Sequence, residues 1–390
     1  MQKINTPICI IGAGPAGITT SLFLSKYKIH HVLVEAGSLP QDKVCGESFI
    51  GRVLHVLKEI DPKWENELYQ ERIIAKSHQV KGFWQQGAKQ LSWDFSPKST
   101  PFLKAKRSIF DSTLLKKAQE SPYLTYYDRC QISTYNSMQD GVELVDKHST
   151  IQINAQLVIL SVGEQINQLN KLFTDYPSDG VPCLASRIYY SNPVYQDDSY
   201  ASEIHFFNKP ASHILYTTRL PDDSAMIEIF MVKSDAKKIN FKLEDCLLNS
   251  IHQSQILSKR FSNADRIGKA HGKSILLGSY PRKLSDNRFL IAGSAMGSVH
   301  VFTGFGVGHA MRSGQLAAYW AFQSLTQKDY SAAYLSQYDK AIQSRFKFDF
   351  FIGKVLVLCV KYPKLFFLFS YSIFFIRMMF LRIILRFTPN

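Results

Sequence analysis

The sequence predicts an α/β fold, in which a discontinuous nucleotide-binding domain carries an inserted antiparallel β-sheet domain and is followed by a helical C-terminal tail. An apolar strand, a glycine-rich turn and a helix are predicted at the N-terminus from the segment ICIIGAGPAGITTSLFLSKY. A second strand and glycine turn begin at Phe289, in FLIAGSAMGSVHVFTGFGVGHAM. Strand-like segments separated by proline and glycine turns lie between the two. These observations favour one domain built from both ends of the chain, with an insertion between them.

The length of the chain and the order of these segments set the predicted domain limits. With 390 residues, of which 45% are hydrophobic and 20% charged, the chain is globular and long enough for two packed domains. The predicted nucleotide-binding domain comprises residues 1–75, 100–165 and 275–335, the predicted substrate domain residues 76–99 and 166–274, and the predicted tail residues 336–390.

The N-terminal turn has the residues that a dinucleotide-binding turn requires. Pro7–Ile11 predicts a buried strand, and GAGPAG at residues 12–17 matches GxGxxG and precedes a predicted helix. Gly12 permits the tight turn, Gly14 lets a pyrophosphate approach the backbone, and Gly17 lets helix and strand pack closely. The free N–H groups at the start of the helix would then bind the pyrophosphate.

A carboxylate and a second glycine turn complete this pattern. Glu35 follows the second predicted strand, 18 residues after Gly17, where it can accept a hydrogen bond from a ribose 2′-OH. This signature does not separate FAD from NAD. However, Arg288–Ala292 predicts another strand, which ends in Gly293-Ser294-Ala295 and leads through a glycine loop into a helix. Two phosphate-type turns suit FAD, whose ADP half and flavin–ribityl half can each face one turn. We therefore predict a Rossmann-like FAD-binding domain, and a reduced nicotinamide, if used, would dock transiently.

The middle of the chain predicts the inserted sheet. Val80–Phe95 predicts a hairpin around Gly87, and Glu203–Ser234 predicts three strands split by Lys-Pro and Pro-Asp-Asp turns. Aromatic residues in these strands could line an apolar pocket above the cofactor, or they could form the core of the sheet, which is the commoner fate of buried aromatics. These residues are Phe83, Trp84, Trp93, Phe206 and Phe207.

Over roughly residues 5–335 these motifs resemble the FAD-dependent oxidoreductases of the geranylgeranyl-reductase type, which share a fold with flavin aromatic hydroxylases and flavin halogenases. Four segments carry the resemblance. They are GAGPAG with Glu35; DKVCGES at residues 42–48, similar to K-x-C-G-E; Arg107, Phe110, Asp111 and Leu114, which match R-x-x-F-D-x-x-L; and residues 293–314, similar to G-D-A-A-G…T-G-x-G-I…A-x-x-S-G.

The sequence departs from this family at positions that bear on the chemistry. Ser294 replaces an aspartate that usually binds a ribityl hydroxyl, and Val162-Gly163 replaces the Asp-Gly of the hydroxylases. The halogenase motif W-x-W-x-I-P is absent from the sequence. The reductase motif Y-x-W-x-F-P has its best match in YTTRLP at residues 216–221, with Thr218 in place of tryptophan. The resemblance therefore implies the fold and the FAD site and leaves the reaction open.

Three side chains are candidates for direct roles beside the flavin. Cys45 would lie near the flavin or be a small buried residue, and a reactive thiolate would need a nearby cation such as Lys43 or a helix N-terminus. His300 could donate to the flavin or the substrate, or be a hydrogen-bonded loop histidine. Arg107 could bind phosphate or ribityl oxygens, or be a surface charge. Cys45 and His300 are the predicted catalytic residues; the predicted cofactor-binding residues are Gly12, Gly14, Pro15, Ala16, Gly17, Glu35, Ala36, Cys45, Gly46, Arg107, Gly293, Ser294, Gly304 and Gly306, and no metal site is predicted.

The C-terminal tail is basic and apolar. The net charge is +14, and from Arg345 onward the chain has eight Lys/Arg residues and one acid, Asp349. The longest uncharged run, Leu365–Ile376, has 12 residues, fewer than the roughly 20 of a spanning helix. We expect the tail to lie on an anionic leaflet; a helical cap on the catalytic body and a dimer interface are the alternatives. Scattered cysteines and the lack of a leader pattern favour a cytoplasmic protein, peripheral on the inner face of the membrane. No nucleic-acid-binding motif is present.

Together these features predict an FAD-dependent oxidoreductase, a dehydrogenase or reductase, that acts on a hydrophobic substrate at a membrane surface. The substrate would be lipid-like: an isoprenoid, a polyene or an acyl-aromatic compound. A flavin-dependent monooxygenase, a non-redox flavin enzyme and a degenerate binding protein are the alternatives. The electron donor and the oligomeric state are left open.

Overall fold

The computed structural model describes residues 1–41, 47–49, 51–86, 89–95, 101–163, 181–195, 200–237, 242–277, 283–296 and 306–361. The strands are β1 (Gln2–Ile11), β2 (His31–Val34), β3 (Ser48–Phe49), β4 (Ala75–Ser77), β5 (Val80–Gln86), β6 (Lys89–Phe95), β7 (Phe102–Lys104), β8 (Leu124–Tyr127), β9 (Ile132–Met138), β10 (Gly141–Asp146), β11 (Ile151–Leu160), β12 (Val181–Ser191), β13 (Ser202–Phe207), β14 (His213–Arg219), β15 (Ala225–Val232), β16 (Asp265–Leu277), β17 (Ser285–Asp286) and β18 (Phe289–Ile291). The helices are α1 (Pro15–Lys26), α2 (Arg52–Ile60), α3 (Trp64–Gln70), α4 (Arg107–Gln119), α5 (Lys233–Ala236), α6 (Leu243–Gln253), α7 (Gln255–Phe261), α8 (Gly306–Gln327) and α9 (Ala332–Lys361).

The first large sheet joins segments from distant parts of the chain. Its main order is β17-β18-β11-β1-β2-β8, and β10 and β9 extend it by antiparallel pairing from β11. β1 runs parallel to β11 and β2, and β18 runs parallel to β11. Residues Ile8–Ile11 are buried, as expected for a strand covered on both faces. This sheet confirms that both ends of the chain build one α/β unit, whereas the numerical domain limits remain predictions.

The second large sheet contains the predicted insertion, in the order β16-β12-β15-β14-β13-β5-β6. The predicted hairpin is confirmed, with Val80 opposite Phe95, and so are the three strands after Glu203. One pairing differs from the antiparallel prediction, because β5 runs parallel to β13. More than one hundred residues separate β5 from β13 along the chain, so no tight turn forces these two strands to be antiparallel.

The two faces of this second sheet have different neighbours. One face packs against α6 and α7 in a separate hydrophobic cluster that includes Ile188, Leu215, Ile227, Leu247 and Leu257. The opposite face carries Arg187, Glu228 and Tyr216 side by side, because these residues are cross-strand partners on β12, β15 and β14. We call this second surface the inner face, because hydrogen bonds join it to the first domain. The small sheet β3-β7-β4 lies at that junction.

Helix α9 packs its N-terminal half on the unit built around the first sheet. Leu335, Tyr338, Ile342 and Phe346 are fully buried at helical spacing, and Tyr338 donates a hydrogen bond to the Ile291 carbonyl. The first part of the predicted tail is therefore a packed cap, which was the alternative interpretation of this segment.

A buried ion pair fixes α9 further along its length. The Arg52 guanidinium binds both oxygens of Asp349, at 2.7 and 3.1 Å, and lies 3.0 Å from His309 Nε2. These contacts tie α9 to α2 and α8. Residues after 361, including the apolar run Leu365–Ile376, lie outside the described part of the chain. None of the helices that the structure describes is long and apolar enough to cross a membrane.

Candidate functional site

The N-terminal glycine turn leaves no room for side chains at two positions. Gly12 has φ +102°, and a Cβ there would lie 2.6 Å from the Ser161 carbonyl oxygen. A Cβ on Gly17 would lie 1.9 Å from the Gly12 carbonyl oxygen. These contacts confirm the tight turn and the close packing of helix on strand. Gly14 is the N-cap of α1, and the helix has neither a side-chain cap nor an acidic residue in its first turn. Its N–H groups are therefore available to an anion.

Glu35 stabilises this turn from the end of β2. Its Oε2 accepts a hydrogen bond of 2.7 Å from the Ala13 N–H, and its Oε1 accepts bonds from the Gly37 N–H and the Gln41 side-chain amide. A carboxylate offers about four acceptor sites, of which Oε1 uses two and Oε2 one in these hydrogen bonds. Glu35 therefore holds the turn, and its binding of a ribose hydroxyl stays a prediction; the neighbouring Ala36 is exposed.

The second glycine turn lies directly against the first. Gly293 has φ +77°, and a Cβ there would lie 2.9 Å from the Ala16 Cβ. A Cβ on Gly314 of α8 would lie 2.2 Å from the Ala16 carbonyl oxygen. The fold therefore brings the two turns into contact across almost the whole sequence. Ser294 is the half-exposed residue of the second turn, and Gly306 is the first residue of α8.

Glu47, which directly precedes β3, packs against the inner face and connects the two domains. This carboxylate is fully buried and accepts hydrogen bonds from Arg187 Nη1, the Tyr189 hydroxyl and the Arg107 backbone N–H. Burial raises the pKa of Glu47 to about 7, although the charges of Arg187 and Arg107 act in the opposite direction. A carboxyl group with such a pKa can hold or release a proton near neutral pH.

Glu228 is a second buried carboxyl group on the inner face. It lies opposite Arg187 on one side and Tyr216 on the other. Neither carboxyl oxygen has a hydrogen-bond partner among the described residues. Burial raises the pKa of Glu228 to about 8; the Arg187 charge lowers it and the Glu47 charge raises it. Glu228 is therefore mainly protonated at neutral pH.

The charged part of the inner face borders a less polar surface. Trp84 and Phe206 stack with ring centroids 6.3 Å apart, and Ile214 and Phe230 occupy the same row of strand partners. These four side chains are only half buried. Their position next to Tyr216 gives the site an apolar region beside a protonatable region.

The predicted aromatic residues thus divide between the two roles that the sequence left open. Trp84 and Phe206 lie on the inner face. Phe83 and Phe207 are buried on the other face, where they stack on His205 and His213. The side chain of Trp93 lies outside the described part.

Some predicted site residues can be placed and others cannot. Cys45, Gly46, His300 and Gly304 lie outside the described residues, so their roles remain predictions. Arg107 is buried and binds Asp111 through two hydrogen bonds of 2.9 and 2.6 Å, so it is not a surface charge. Its role toward phosphate or ribityl oxygens stays a prediction.

Sequence reasoning missed several charged residues of the inner face. Glu47 lies within the segment DKVCGES, where nothing in the neighbouring residues indicates a buried carboxylate. Glu228 and Lys104 could have been noticed as single charges inside apolar strands, in AMIEIFMV and FLK. Within the described part, no group of three or more His, Cys, Asp or Glu side chains is placed to hold a metal ion.

Comparison with known proteins defines the class of the protein. Residues 5–159 match a family model described as an FAD binding domain. This is the segment that contains the first glycine turn, Glu35, Arg107 and most of the first sheet, and the observed turn and carboxylate fit FAD. The fold and the site therefore define a flavin-dependent enzyme with FAD as its cofactor.

Curated proteins that are similar in sequence include a receptor and a reductase. Conditioned medium factor receptor 1 of Dictyostelium discoideum is 22% identical over 377 residues, which cover 90% of this chain and 70% of that protein. Digeranylgeranylglycerophospholipid reductase of Haloferax volcanii is 29% identical over 126 residues, which cover 32% of this chain and 30% of that protein.

Solved structures extend the likeness to almost the whole fold. A geranylgeranyl bacteriochlorophyll reductase-like protein of Thermoplasma acidophilum has a TM-score of 0.76 and 14% identity, with coverage of 92% of this chain and 88% of that one. A flavin-dependent brominase has a TM-score of 0.78 and 18% identity, with coverage of 98% and 93%. The chain thus shares the fold of these proteins and contains an FAD-binding domain, as the motifs indicated.

Proposed function

We propose that the protein is an FAD-dependent reductase or dehydrogenase that acts on a hydrophobic, lipid-like substrate at a membrane surface. The substrate would be an isoprenoid, a polyene or an acyl-aromatic compound. The observation that carries this proposal is the half-exposed row of Trp84, Phe206, Ile214 and Phe230 on the inner face, next to groups that titrate near neutral pH. An apolar surface with a few convergent polar groups is typical of a small-molecule site.

The residues of the first domain would hold the cofactor. The N–H groups at the start of α1 would bind the pyrophosphate, and Glu35 would bind the ribose. FAD would supply hydride transfer between an electron donor and the substrate. The inner face would orient the substrate: its apolar row would bind hydrocarbon and exclude water, and Glu47 with Arg187 would hold the two domains together.

The name of one relative supports a lipid-like substrate. The Haloferax protein is named as a reductase of a digeranylgeranyl glycerophospholipid, and its similarity to this chain covers 126 residues. Such a substrate carries long isoprenoid chains, which suit an apolar row of this kind. The likeness to a brominase concerns the fold and does not indicate halogenation here.

The first test of this function is spectroscopic and kinetic. The purified protein should show the visible absorption of bound oxidised flavin. After anaerobic reduction, hydrophobic acceptors should reoxidise the flavin in a single turnover with a reduced product. Oxygen uptake coupled to NADPH oxidation, with a hydroxylated product, would instead indicate a monooxygenase. Product formation without consumption of reductant would indicate a non-redox enzyme, and a colourless protein that does not take up FAD would leave only a binding role.

A variant on the inner face tests the apolar row. Phe206→Ala removes a half-buried ring, which is worth about 1–2 kcal/mol of contact with an apolar ligand. We expect KM for a hydrophobic acceptor to rise roughly tenfold while FAD affinity is unchanged. Ile109→Ala is the matched control, because Ile109 is an exposed apolar residue on α4. An unchanged KM in Phe206→Ala would exclude the row as the substrate surface.

Membrane attachment through the tail is tested separately. Arg377→Gln, Arg382→Gln and Arg386→Gln together remove three cations, each worth about 1 kcal/mol at an anionic surface. Binding of the full chain to anionic vesicles should weaken roughly 100-fold and should already be salt-sensitive in the wild type. The matched control, Lys116→Gln with Lys147→Gln and Lys209→Gln, changes the net charge equally at exposed positions on the body. Equal loss in both triple variants would show that only the net charge matters.

A further inference from the structure

Lys104 has an unusual environment for a lysine. It is fully buried at the end of β7, and its ammonium group donates hydrogen bonds to two serine hydroxyls, Ser48 at 2.7 Å and Ser202. Among the described residues no carboxylate forms an ion pair with it. Burial lowers the pKa of Lys104 to about 7. The sheet junction thus holds an amine that can exchange a proton near neutral pH.

A continuous line of hydrogen bonds leads from this amine to the inner face. Ser202 Oγ lies 2.8 Å from the Tyr216 hydroxyl, which also makes hydrogen bonds with Ser48 and Thr218. A proton can therefore move from the Lys104 ammonium through the Ser202 hydroxyl to the Tyr216 oxygen without any group leaving its place. Such connected networks are strongest where water is excluded.

Tyr216 ends this line at the border of the apolar row. Its ring is half buried, and Ile214 lies two residues away on the same face of β14. Phe206 and Phe230 are the cross-strand partners of Ile214. The Tyr216 hydroxyl is directed from this row toward Ser202, so a hydrophobic substrate would meet it with the end that projects beyond the row.

We propose that Lys104, Ser202 and Tyr216 form a proton-transfer chain in which Tyr216 protonates the substrate and Lys104 restores the proton. This inference rests on the proposed reductase function and narrows its substrate class. A tyrosine is a weak acid, with an ordinary pKa near 10, so it cannot begin the protonation of an isolated alkene. It can protonate a carbon that hydride addition has made electron-rich. This proton-transfer chain therefore fits a hydrophobic substrate whose double bond is conjugated to a carbonyl group.

The step balances in atoms and electrons. FAD held by the first domain and reduced by an external donor, such as a reduced nicotinamide, would supply a hydride to the β-carbon of the substrate. The double-bond electrons move toward the carbonyl and leave an enolate. The Tyr216 O–H bond breaks and a C–H bond forms at the α-carbon. Ser202 returns a proton to the Tyr216 oxygen and receives one from the Lys104 ammonium, which is reprotonated by water. The substrate is reduced by two electrons and the flavin is oxidised.

The proton-transfer chain needs Lys104 in its protonated form. The rate of substrate reduction should therefore fall as pH rises through about 7. Other groups near Tyr216 also titrate in this range. Glu228, its cross-strand partner, has a pKa raised to about 8, and Glu47 beyond Arg187 has a pKa raised to about 7. The charge on Glu228 adds to the effect of burial, which raises the pKa of Tyr216 to about 12. Glu228→Gln is therefore the control that separates carboxyl titration from lysine titration.

The kinetic test uses the FAD-loaded full chain, reduced anaerobically. It is mixed with a long-chain α,β-unsaturated aldehyde, and the flavin absorbance reports reoxidation. The isomer with its double bond in mid-chain is the matched probe. We expect the conjugated aldehyde to react and the isomer to be inert. Tyr216→Phe should slow the reaction about 10²–10⁴-fold with unchanged FAD affinity. Lys104→Met should abolish the fall in rate near pH 7, whereas Glu228→Gln should keep it.

A second measurement does not depend on turnover. The side-chain carbon beside the Lys104 amine is labelled with carbon-13, and its NMR signal is assigned by its loss in Lys104→Met. We expect this signal to titrate near pH 7, well below the ordinary lysine value of about 10.4. Titration at the ordinary value would overturn the proton chain. So would wild-type rates and pH profiles in both Tyr216→Phe and Lys104→Met.

The outcomes separate this inference from the proposed function. If isoprenoid alkenes reoxidise the reduced flavin and the conjugated aldehyde does not, the reductase function stands and the inference is wrong. If no hydrophobic acceptor reoxidises the flavin, the reductase function itself is wrong and the inference falls with it.

Discussion

The contact between α1 and α8 gives the sharpest prediction about the cofactor turns. A Cβ on Gly314 would lie 2.2 Å from the Ala16 carbonyl oxygen and 3.0 Å from Thr20 Oγ1, whereas ordinary contacts begin at 3.4 Å. Gly314→Ala would thus force the two helices about 1.2 Å apart, because the obstacle is a backbone oxygen and not a flexible side chain. Ala16 also touches Gly293, so this shift would displace both glycine turns.

The size of the effect follows from two opposing contributions. Overpacking of this kind costs about 1–3 kcal/mol, and the upper end applies where backbone must move. Alanine is favoured over glycine within a helix by about 1 kcal/mol. The net loss in the free energy of unfolding is therefore about 2 kcal/mol. At about 2 °C per kcal/mol for a chain of this length, the melting temperature should fall by roughly 4 °C.

Thermal unfolding of the FAD-free protein and titration with FAD measure the two consequences. We expect Gly314→Ala to lower the melting temperature and to weaken FAD binding. Gly306→Ala, at the start of the same helix, is the control for stability, because no described atom lies within 4 Å of the added carbon. If Gly314→Ala proves as stable as the wild type or more stable, with unchanged FAD affinity, the close contact of the turns is refuted.

Three further predictions test the cofactor turn, the packing of α9 and the acid dependence of stability. Glu35→Ala removes a charge-assisted hydrogen bond to the turn and should weaken FAD binding roughly 30-fold, or about 2 kcal/mol, by calorimetric titration. Asp349→Asn disrupts the buried pair with Arg52 and should lower the free energy of unfolding by about 3–5 kcal/mol in urea; a loss below 1 kcal/mol would contradict the packed α9 cap. The pKa of Glu203 is lowered from 4.5 to about 2, because hydrogen bonds from His205 and Arg260 outweigh burial, which acts to raise it. This depressed pKa stabilises the fold by about 3 kcal/mol above pH ~4.5, and the stabilisation is lost as pH falls toward 2; Glu203→Gln should remove that part of the acid dependence.

The local requirements of the backbone were predictable from the sequence. A turn that needs φ +102° at Gly12, and a helix that approaches within contact of its strand at Gly17, both demand glycine in a short and regular pattern. Alternation of apolar residues likewise predicted β5, β6 and the strands after Glu203. The family motifs then indicated FAD, which the match over residues 5–159 confirms.

The polar centre of the inner face could not be predicted in this way. Glu47, Lys104, Arg187, Tyr216 and Glu228 come from strands or segments far apart in sequence, and each one alone reads as an ordinary charged or aromatic residue. Only packing decides that the first two meet the other three and that all of them except the half-buried Tyr216 are removed from water. That decision changes their chemistry, because burial shifts the pKa of a group by amounts that no local pattern encodes.

The sequence by itself determined where the chain turns around a phosphate-bearing cofactor, since glycine spacing and strand periodicity are properties of neighbouring residues. The tertiary structure alone decided that the two glycine turns touch and that a lysine lies at the end of a hydrogen-bonded line to Tyr216. The physical reason is that contacts between distant segments, and the exclusion of water from them, arise only when the two sheets pack together.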